Sequence, residues 1–157
     1  MVAIFGDLET MRFVGDTRTL TEADCLYWVE DVTEKNFDRR GYGLIAFIDK
    51  IACNLVACAG VFHPGQQAEP EVMYWLRRDQ WGKGYATEIV RGLIAHAREV
   101  WKIGRMIATI HPDNSPSQNV IAKAGFVRIP DRQNEDGSVI QVWESRERPY
   151  ICPSGVQ

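Results

Sequence analysis

One stretch of this chain restricts its possible folds more than any other feature of the sequence. It consists of a short apolar segment, two closely spaced glycines and a long amphipathic helix, in that order. Residues 71–77 include five consecutive apolar side chains and predict a strand. Gly82 and Gly84 follow, and from Ala86 to Trp101 apolar residues recur with the helical period. Such a connection brings the free N–H groups of the first helical turn to the edge of a sheet. The pattern predicts a mixed α/β fold with an anion site at the glycines, although a plain tight turn would use the same two glycines.

Two common nucleotide-binding loops do not fit this spacing. A Walker loop needs G-x-x-x-x-G-K-[ST], whereas here Lys83 lies between the two glycines and Thr87 follows the second. A dinucleotide-binding fingerprint needs a third glycine, where this chain has Thr87, and it opens a parallel sheet. Antiparallel strands are predicted before this motif. The chain is therefore predicted to contain neither a P-loop nor a Rossmann domain.

The remaining segments predict a single domain over the whole chain of 157 residues. A helical region is expected over residues 1–40, because Thr21 and Asp24 have the spacing of a capping box and begin a helix that ends near residue 37. Residues 146–157 are a polar tail. Further elements are predicted as a helix at residues 115–124 and strands at residues 42–49, 55–63, 105–110, 126–129 and 139–145.

Composition narrows the class of protein. The chain has 18 Lys and Arg against 21 Asp and Glu, a net charge of −3 that argues against a broad nucleic-acid footprint. No apolar run approaches the ~20 residues of a membrane-spanning helix, and no signal-peptide pattern opens the chain, so a cytoplasmic protein is expected. None of the 4 cysteines forms a CxxC pair, so no metal site or disulfide is expected.

Three motifs together carry a family resemblance. Residues 76–88 read LRRDQWGKGYATE, residues 111–117 read HPDNSPS and residues 122–126 read AKAGF. With these motifs the chain resembles the GNAT superfamily of N-acetyltransferases over about residues 42–145. Within the superfamily it resembles most closely the RimJ/RimL-like branch, many of whose members also have a tryptophan at the position of Trp81. That branch acetylates protein N-terminal amines and, in other members, small-molecule or antibiotic amines.

The resemblance implies a GNAT-like three-layer fold. Its mostly antiparallel sheet would splay between two central parallel strands, at residues 71–77 and 105–110, with helices on both faces. Acetyl-CoA would lie in that opening as co-substrate, its pantetheine arm pairing with the strand backbone and with Asn114, and its pyrophosphate on the glycine loop. No metal is implied. The expected acetyl-CoA-binding residues are Leu76, Arg77, Arg78, Gly82, Lys83, Gly84, Tyr85, Ala86, Thr87, Asn114 and Ser117.

Three residues are candidates for the chemistry of acetyl transfer. The backbone N–H of Leu76 is expected to stabilise the oxyanion. Glu71 is the best-placed general base, directly or through water, the alternative being a solvated charge at the start of a strand. The tyrosine that protonates the leaving thiolate in many relatives falls at Ile121, so Ser117 is the candidate acid, the alternative being a hydroxyl bonded to local backbone.

The expected function is transfer of an acetyl group from acetyl-CoA to a primary amine, on a protein N-terminus or a small molecule, by direct attack in a ternary complex. The alternative is a degenerate GNAT fold that binds CoA or a partner without turnover. The acceptor is expected between residues 11–37 and 131–143, which carry no motif of recognisable chemistry. The resemblance also implies that the family's first strand is missing, which leaves a sheet edge for a partner or loop to cover. A homodimer is plausible for this class, and no nucleic-acid or membrane partner is expected.

Overall fold

One mixed sheet forms the centre of the fold, with helices before it and between its strands. The computed structural model describes residues 1–64, 67–134 and 136–145, and at residues 31 and 32 the backbone alone. The helices are α1 (Val2–Phe5), α2 (Leu8–Met11), α3 (Glu22–Tyr27), α4 (Lys35–Arg40), α5 (Tyr85–Glu99) and α6 (Ser115–Lys123). The strands are β1 (Leu44–Ile48), β2 (Leu55–Phe62), β3 (Glu71–Leu76), β4 (Ile107–Ile110), β5 (Phe126–Gln133) and β6 (Val139–Ser145).

The sheet is antiparallel except at its centre. Its strand order is β1-β2-β3-β4-β6-β5, and only the β3–β4 pair is parallel. That pair has a single register position, Glu71 opposite Ile107, where the Ile107 N–H donates to the Pro70 carbonyl at 2.9 Å. Beyond this point the two strands diverge. The predicted fold class, with a sheet splayed between two central parallel strands, is confirmed.

Helices cover both faces of the sheet, as predicted. The apolar stripe of α5 packs on one face, against Val72 and Leu76 of β3 and the buried Ile121 of α6. On the other face, Phe5 of α1 and Cys25 of α3 pack against the sheet. The interior strand β2 is buried along nearly its whole length because both of its faces are covered.

Two elements differ from the sequence prediction. The Thr21–Asp24 capping box forms, but the helix that it begins changes to π-helical geometry over Trp28–Glu34 and continues as α4 to Arg40. Strand β5 extends beyond the predicted end, because Pro130 lies at a register irregularity and the strand continues to Gln133. As β5 is an edge strand, a proline without an N–H donor interrupts the pairing without ending the strand.

The described residues before Leu44 form helices and loops and add no strand to the sheet, so β1 is an edge strand. The tail at residues 146–157 lies outside the described residues, and the single-domain boundaries stay a prediction. Within the part of the chain that the structure describes, no helix is long and apolar enough to span a membrane.

Candidate active site

The opening between β3 and β4 forms a cavity of about 810 Å³. Its walls come from β3, β4, the loop and first turn of α5, the first turns of α6 and the segment around α2. Eight of the predicted acetyl-CoA-binding residues line it, namely Leu76, Gly82, Gly84, Tyr85, Ala86, Thr87, Asn114 and Ser117. The structure thus brings together two motifs that are about 30 residues apart in the sequence.

The backbone of Leu76 faces this opening. In the antiparallel β2–β3 pair, Leu76 lies opposite Ala57, and the next residue, Arg77, donates its N–H to the Val56 carbonyl at 2.9 Å. Hydrogen-bonded and non-hydrogen-bonded pairs alternate along an antiparallel ladder. The Leu76 N–H therefore points away from β2, towards the side where β4 has diverged. The Leu76 carbonyl on that side accepts a hydrogen bond from the Trp81 indole at 3.1 Å.

The glycine loop exposes its backbone to the cavity. Gly82 and Gly84 have φ angles of +73° and +87°, a region that glycine adopts without strain. A Cβ at either position would meet nothing within 4 Å, so open space lies next to both glycines. No side chain caps the first turn of α5, and Gly84 is its N-cap. The free N–H groups at the start of this helix fit a pyrophosphate through hydrogen bonds and the helix dipole.

The basic residues near the loop are engaged elsewhere. The Arg77 guanidinium binds both oxygens of Asp79, at 3.0 and 2.8 Å, and the Leu55 carbonyl at 3.2 Å. Arg78 lies 3.7 Å from an Asp7 carboxylate oxygen. Lys83 donates to the Gln80 side chain at 3.1 Å. None of these three predicted binding residues lines the cavity, and their contribution to acetyl-CoA binding stays a prediction.

The start of α6 presents two polar side chains to the cavity. Asn114 is the N-cap, and its side-chain oxygen accepts a hydrogen bond from the Ser117 N–H at 3.2 Å. This bond fixes the amide so that its oxygen faces the helix. Pro116 in the first turn leaves one fewer backbone donor to satisfy. Asn114 and Ser117 are therefore held on a regular element rather than on a mobile loop.

Tyr74 was not among the predicted site residues, yet its hydroxyl oxygen lies 2.5 Å from the Ser117 Oγ and 3.3 Å from the Ser117 carbonyl oxygen. Burial raises the pKa of Tyr74 to about 12, against a smaller lowering by the bond to Ser117. The signal in the sequence was alternation, since Tyr74 shares the strand face of Val72 and Leu76. Ile121, at the position of the relatives' tyrosine, is 0% exposed.

Glu71 lies at the base of the opening, where β3 and β4 separate. Its carboxylate is buried, with the residue 3% exposed, and accepts hydrogen bonds from the Thr109 N–H at 3.0 Å and from the Thr109 hydroxyl. Its second oxygen accepts from the Gln67 side chain at 3.3 Å. The solvated strand-end alternative does not describe this environment. A carboxylate has about four acceptor positions, so three bonds leave one for a ligand.

The expected acceptor side is only partly formed by the predicted segments. The chain after α2 contributes Arg12 and Phe13 to the cavity wall. The Phe13 ring stacks on His111 with 5.1 Å between centroids, and the Arg12 guanidinium lies 5.2 Å from the Phe13 centroid. From residues 131–143, Ile140 lines the cavity. No cluster of metal-ligating residues occurs in the described ranges.

The fold and this site define the chain as an acyltransferase domain built around an opening in its sheet, and the sequence matches the acetyltransferase (GNAT) domain family over residues 1–127. The chain belongs to that family. Acetyl-CoA is the co-substrate of GNAT acetyltransferases, and the free N–H groups around Gly84 fit it. The prediction of the superfamily and of its co-substrate is thereby confirmed.

Three similar proteins illustrate the match. The chain is 30% identical over 81 residues to an uncharacterized N-acetyltransferase, p20, of Bacillus licheniformis, in an alignment that covers 50% of this chain and 46% of p20. The match thus spans about half the length of that relative. The GNAT-family acetyltransferase of Bacillus anthracis superposes with a TM-score of 0.75 at 21% identity, covering 92% of this chain and 86% of that chain. The protein yncA of Salmonella typhimurium, solved with its cofactor acetyl-CoA, gives a TM-score of 0.69 at 16% identity, covering 95% and 88%.

Proposed function

We propose that this protein transfers the acetyl group of acetyl-CoA to a primary amine by direct attack in a ternary complex. One observation carries the proposal: the Leu76 N–H, the free N–H groups of the α5 terminus and the Ser117–Tyr74 hydroxyl pair all border one cavity between β3 and β4. These are a donor for the oxyanion, a cradle for the pyrophosphate and a proton donor for the thiolate, and Glu71 in the same cavity adds a base for the amine.

The backbone of the cleft supports acetyl-CoA binding. The N–H groups from Gly82 to Thr87 would hold the pyrophosphate, since a net charge of −3 provides no general attraction for a polyanion. The outward N–H groups of β3 would pair with the pantetheine arm. Asn114 keeps its amide hydrogens for the same arm, because its oxygen accepts from the Ser117 N–H.

Each of the three predicted groups has a chemical task. Glu71 would accept a proton from the amine, directly or through water, as the nitrogen lone pair forms the N–C bond. The Leu76 N–H would donate to the thioester oxygen as negative charge grows there, an effect of about 3 kcal/mol in other enzymes. Ser117 would give a proton to the sulfur as the C–S bond breaks.

The finer identity of the enzyme belongs to the same proposal. We assign it to the RimJ/RimL-like branch on its motif with Trp81, and the acceptor to protein N-terminal or small-molecule primary amines. A cytoplasmic location fits the buried free thiols of Cys25 and Cys58, which suit a reducing compartment. A homodimer stays a prediction, which analytical ultracentrifugation tests.

Two measurements test the proposal. Calorimetric titration with acetyl-CoA should give saturable binding, and no binding at millimolar ligand would refute it. A panel of small amines and N-terminal peptides, with acetyl-CoA present, should then release free CoA thiol for at least one acceptor. Binding without thiol release across the panel would favour a degenerate GNAT fold that binds CoA without turnover.

A further inference from the structure

The partly buried phenol of Tyr74 lies at the floor of the cleft and contacts one hydroxyl group, that of Ser117. Tyr74 extends from β3 to the first turn of α6, where its hydroxyl oxygen lies 2.5 Å from the Ser117 Oγ. Its other hydrogen-bond partner among the described residues is the Ser117 carbonyl, at 3.3 Å. Both residues line the cavity, so this pair is open to a ligand on one side.

The chemistry of the two hydroxyl groups sets the direction in which a proton moves between them. An aliphatic alcohol is a weaker acid than a phenol, so Ser117 acting alone would leave an alkoxide after giving its proton to sulfur. Burial keeps the pKa of Tyr74 high, at about 12, and the phenol therefore carries its proton at neutral pH. A short contact of 2.5 Å lets the phenol return a proton to the serine as the serine loses one.

We propose that Tyr74 supplies, through Ser117, the proton that the departing CoA sulfur receives. This inference rests on the proposed acetyl transfer. As the C–S bond breaks, the Ser117 hydroxyl proton passes to sulfur and the Tyr74 phenolic proton passes to the Ser117 oxygen. The phenolate then regains, through water in the cleft, the proton that Glu71 has accepted from the amine. The sum is an amide and a CoA thiol, with no proton gained or lost by the protein.

The pair takes the place of the single tyrosine found in many relatives. At that position this chain has Ile121, which has no exchangeable proton and is buried in the core. The phenol reaches the thiol region from the strand instead, with the serine between it and the sulfur. Tyr74 thus acts as a positioning residue that also supplies a proton to Ser117, and Ser117 is the group that touches the substrate.

The first test removes one hydroxyl and keeps the ring. Tyr74→Phe should lower kcat by about 10²-fold, the loss expected for a proton donor, while KM for acetyl-CoA stays unchanged. A proton inventory in mixed light and heavy water should curve for the unaltered enzyme and become linear for the variant. The matched control is Tyr42→Phe, which loses a hydroxyl bonded to the His63 Nε2 at 2.8 Å outside the cleft and should keep kcat and the curvature.

The second test asks whether the pair acts as one unit. If the proton travels from Tyr74 through Ser117, Ser117→Ala already blocks the route, and adding Tyr74→Phe should cost no further activity. Additive losses would overturn the proposal. So would a Tyr74→Phe enzyme with unaltered kcat, or a proton inventory equal to that of the unaltered enzyme.

A third measurement does not depend on turnover or on knowing the amine. At a pH of about 10, well above the ~8.5 at which a cysteine thiol ionises, a large share of the CoA thiol is ionised and the pair should hydrogen-bond that thiolate. Tyr74→Phe should then weaken calorimetric binding of CoA several-fold and leave binding of desulfo-CoA, which lacks the sulfur, unchanged. Equal changes for both ligands would overturn the proposal even if acetyl transfer is established. Failure of the unaltered protein to bind either ligand would refute the proposed function and this inference together.

Discussion

Glu71 and Thr109 join β3 to β4 at the point where the two strands diverge. One carboxylate oxygen accepts hydrogen bonds from both the backbone N–H and the hydroxyl of Thr109, and the contact lies beside the single parallel register position of the two strands. The side chain that fixes the start of the opening is therefore the one expected to accept the amine proton. These two tasks make different demands on the same carboxylate, so variants can separate them.

Glu71→Gln is expected to lower kcat/KM for the amine by about 10²- to 10⁴-fold, because an amide cannot accept the proton. Glu71→Ala should in addition lower the free energy of unfolding by about 1–3 kcal/mol, since the partly buried Thr109 N–H loses its acceptor. Steady-state kinetics and urea unfolding measure the two effects. The matched control is Gln67→Ala, which removes one hydrogen bond to the carboxylate and keeps its charge. An equal loss of activity in this control would show that Glu71 acts only by shaping the opening.

Acid should weaken the N-terminal helical region through Asp24. The bond from Arg18, followed by those from Thr21, lowers the pKa of Asp24 from 3.8 to about 2. A carboxyl group whose pKa is lower in the folded state stabilises the fold above its unfolded pKa, and this contribution disappears as pH falls through the folded pKa. We therefore expect part of the stability to be lost between about pH 4 and pH 2.

Thermal unfolding across that pH range tests the assignment. Asp24→Asn should flatten the dependence of Tm on pH below 4, as the titrating group is gone. Glu22→Gln removes a first-turn charge from the same helix and leaves the Thr21–Asp24 bonds in place. If both variants change the pH dependence equally, the effect comes from net charge and not from the capping box.

The parts of the fold that could be read from the sequence were those fixed by local pattern. The period of α5, the glycines before it and the Thr21 cap each encode a structure within a few residues. The Tyr74–Ser117 contact could not be predicted this way, because the two residues are 43 positions apart and only the packing of α6 on the sheet brings them together. In the sequence Tyr74 is one of five consecutive apolar residues of a strand, and that pattern does not distinguish a cleft residue from a core residue.

Charged residues were the least predictable part of the site for a related reason. A basic residue next to a glycine loop suggests a phosphate ligand, but the partner of a guanidinium depends on every nearby acceptor. Arg77 lies against Asp79 and the Leu55 carbonyl, an arrangement set by the β2–β3 register. Sequence position puts Arg77 a few residues before the glycine loop, but it does not determine the direction of its side chain.

Lys83→Ala and Arg78→Ala should therefore change acetyl-CoA affinity only slightly. Both side chains are exposed, and exposed charges contribute about 0–1 kcal/mol, which corresponds to at most about fivefold in Kd. Calorimetry at low and high salt should show a weak ionic-strength dependence for the unaltered protein and for both variants. A loss of binding in either variant would mean that its side chain turns into the cleft when acetyl-CoA is present.

Blocking the backbone cradle should have a much larger effect. Gly84→Trp places an indole in the open space next to the N–H groups of α5, so acetyl-CoA binding should be lost. The change also strains the backbone, because residue 84 has a φ angle of +87°. Gly137→Trp is the matched control: Gly137 has a φ angle of +83° and equally open surroundings, but it lies away from the cavity. Both variants should lose a similar amount of stability, about 1–2 kcal/mol, in thermal unfolding. In calorimetry, only Gly84→Trp should lose acetyl-CoA binding. If Gly84→Trp keeps its affinity for acetyl-CoA, or if Gly137→Trp loses as much affinity, the position assigned to the pyrophosphate is contradicted.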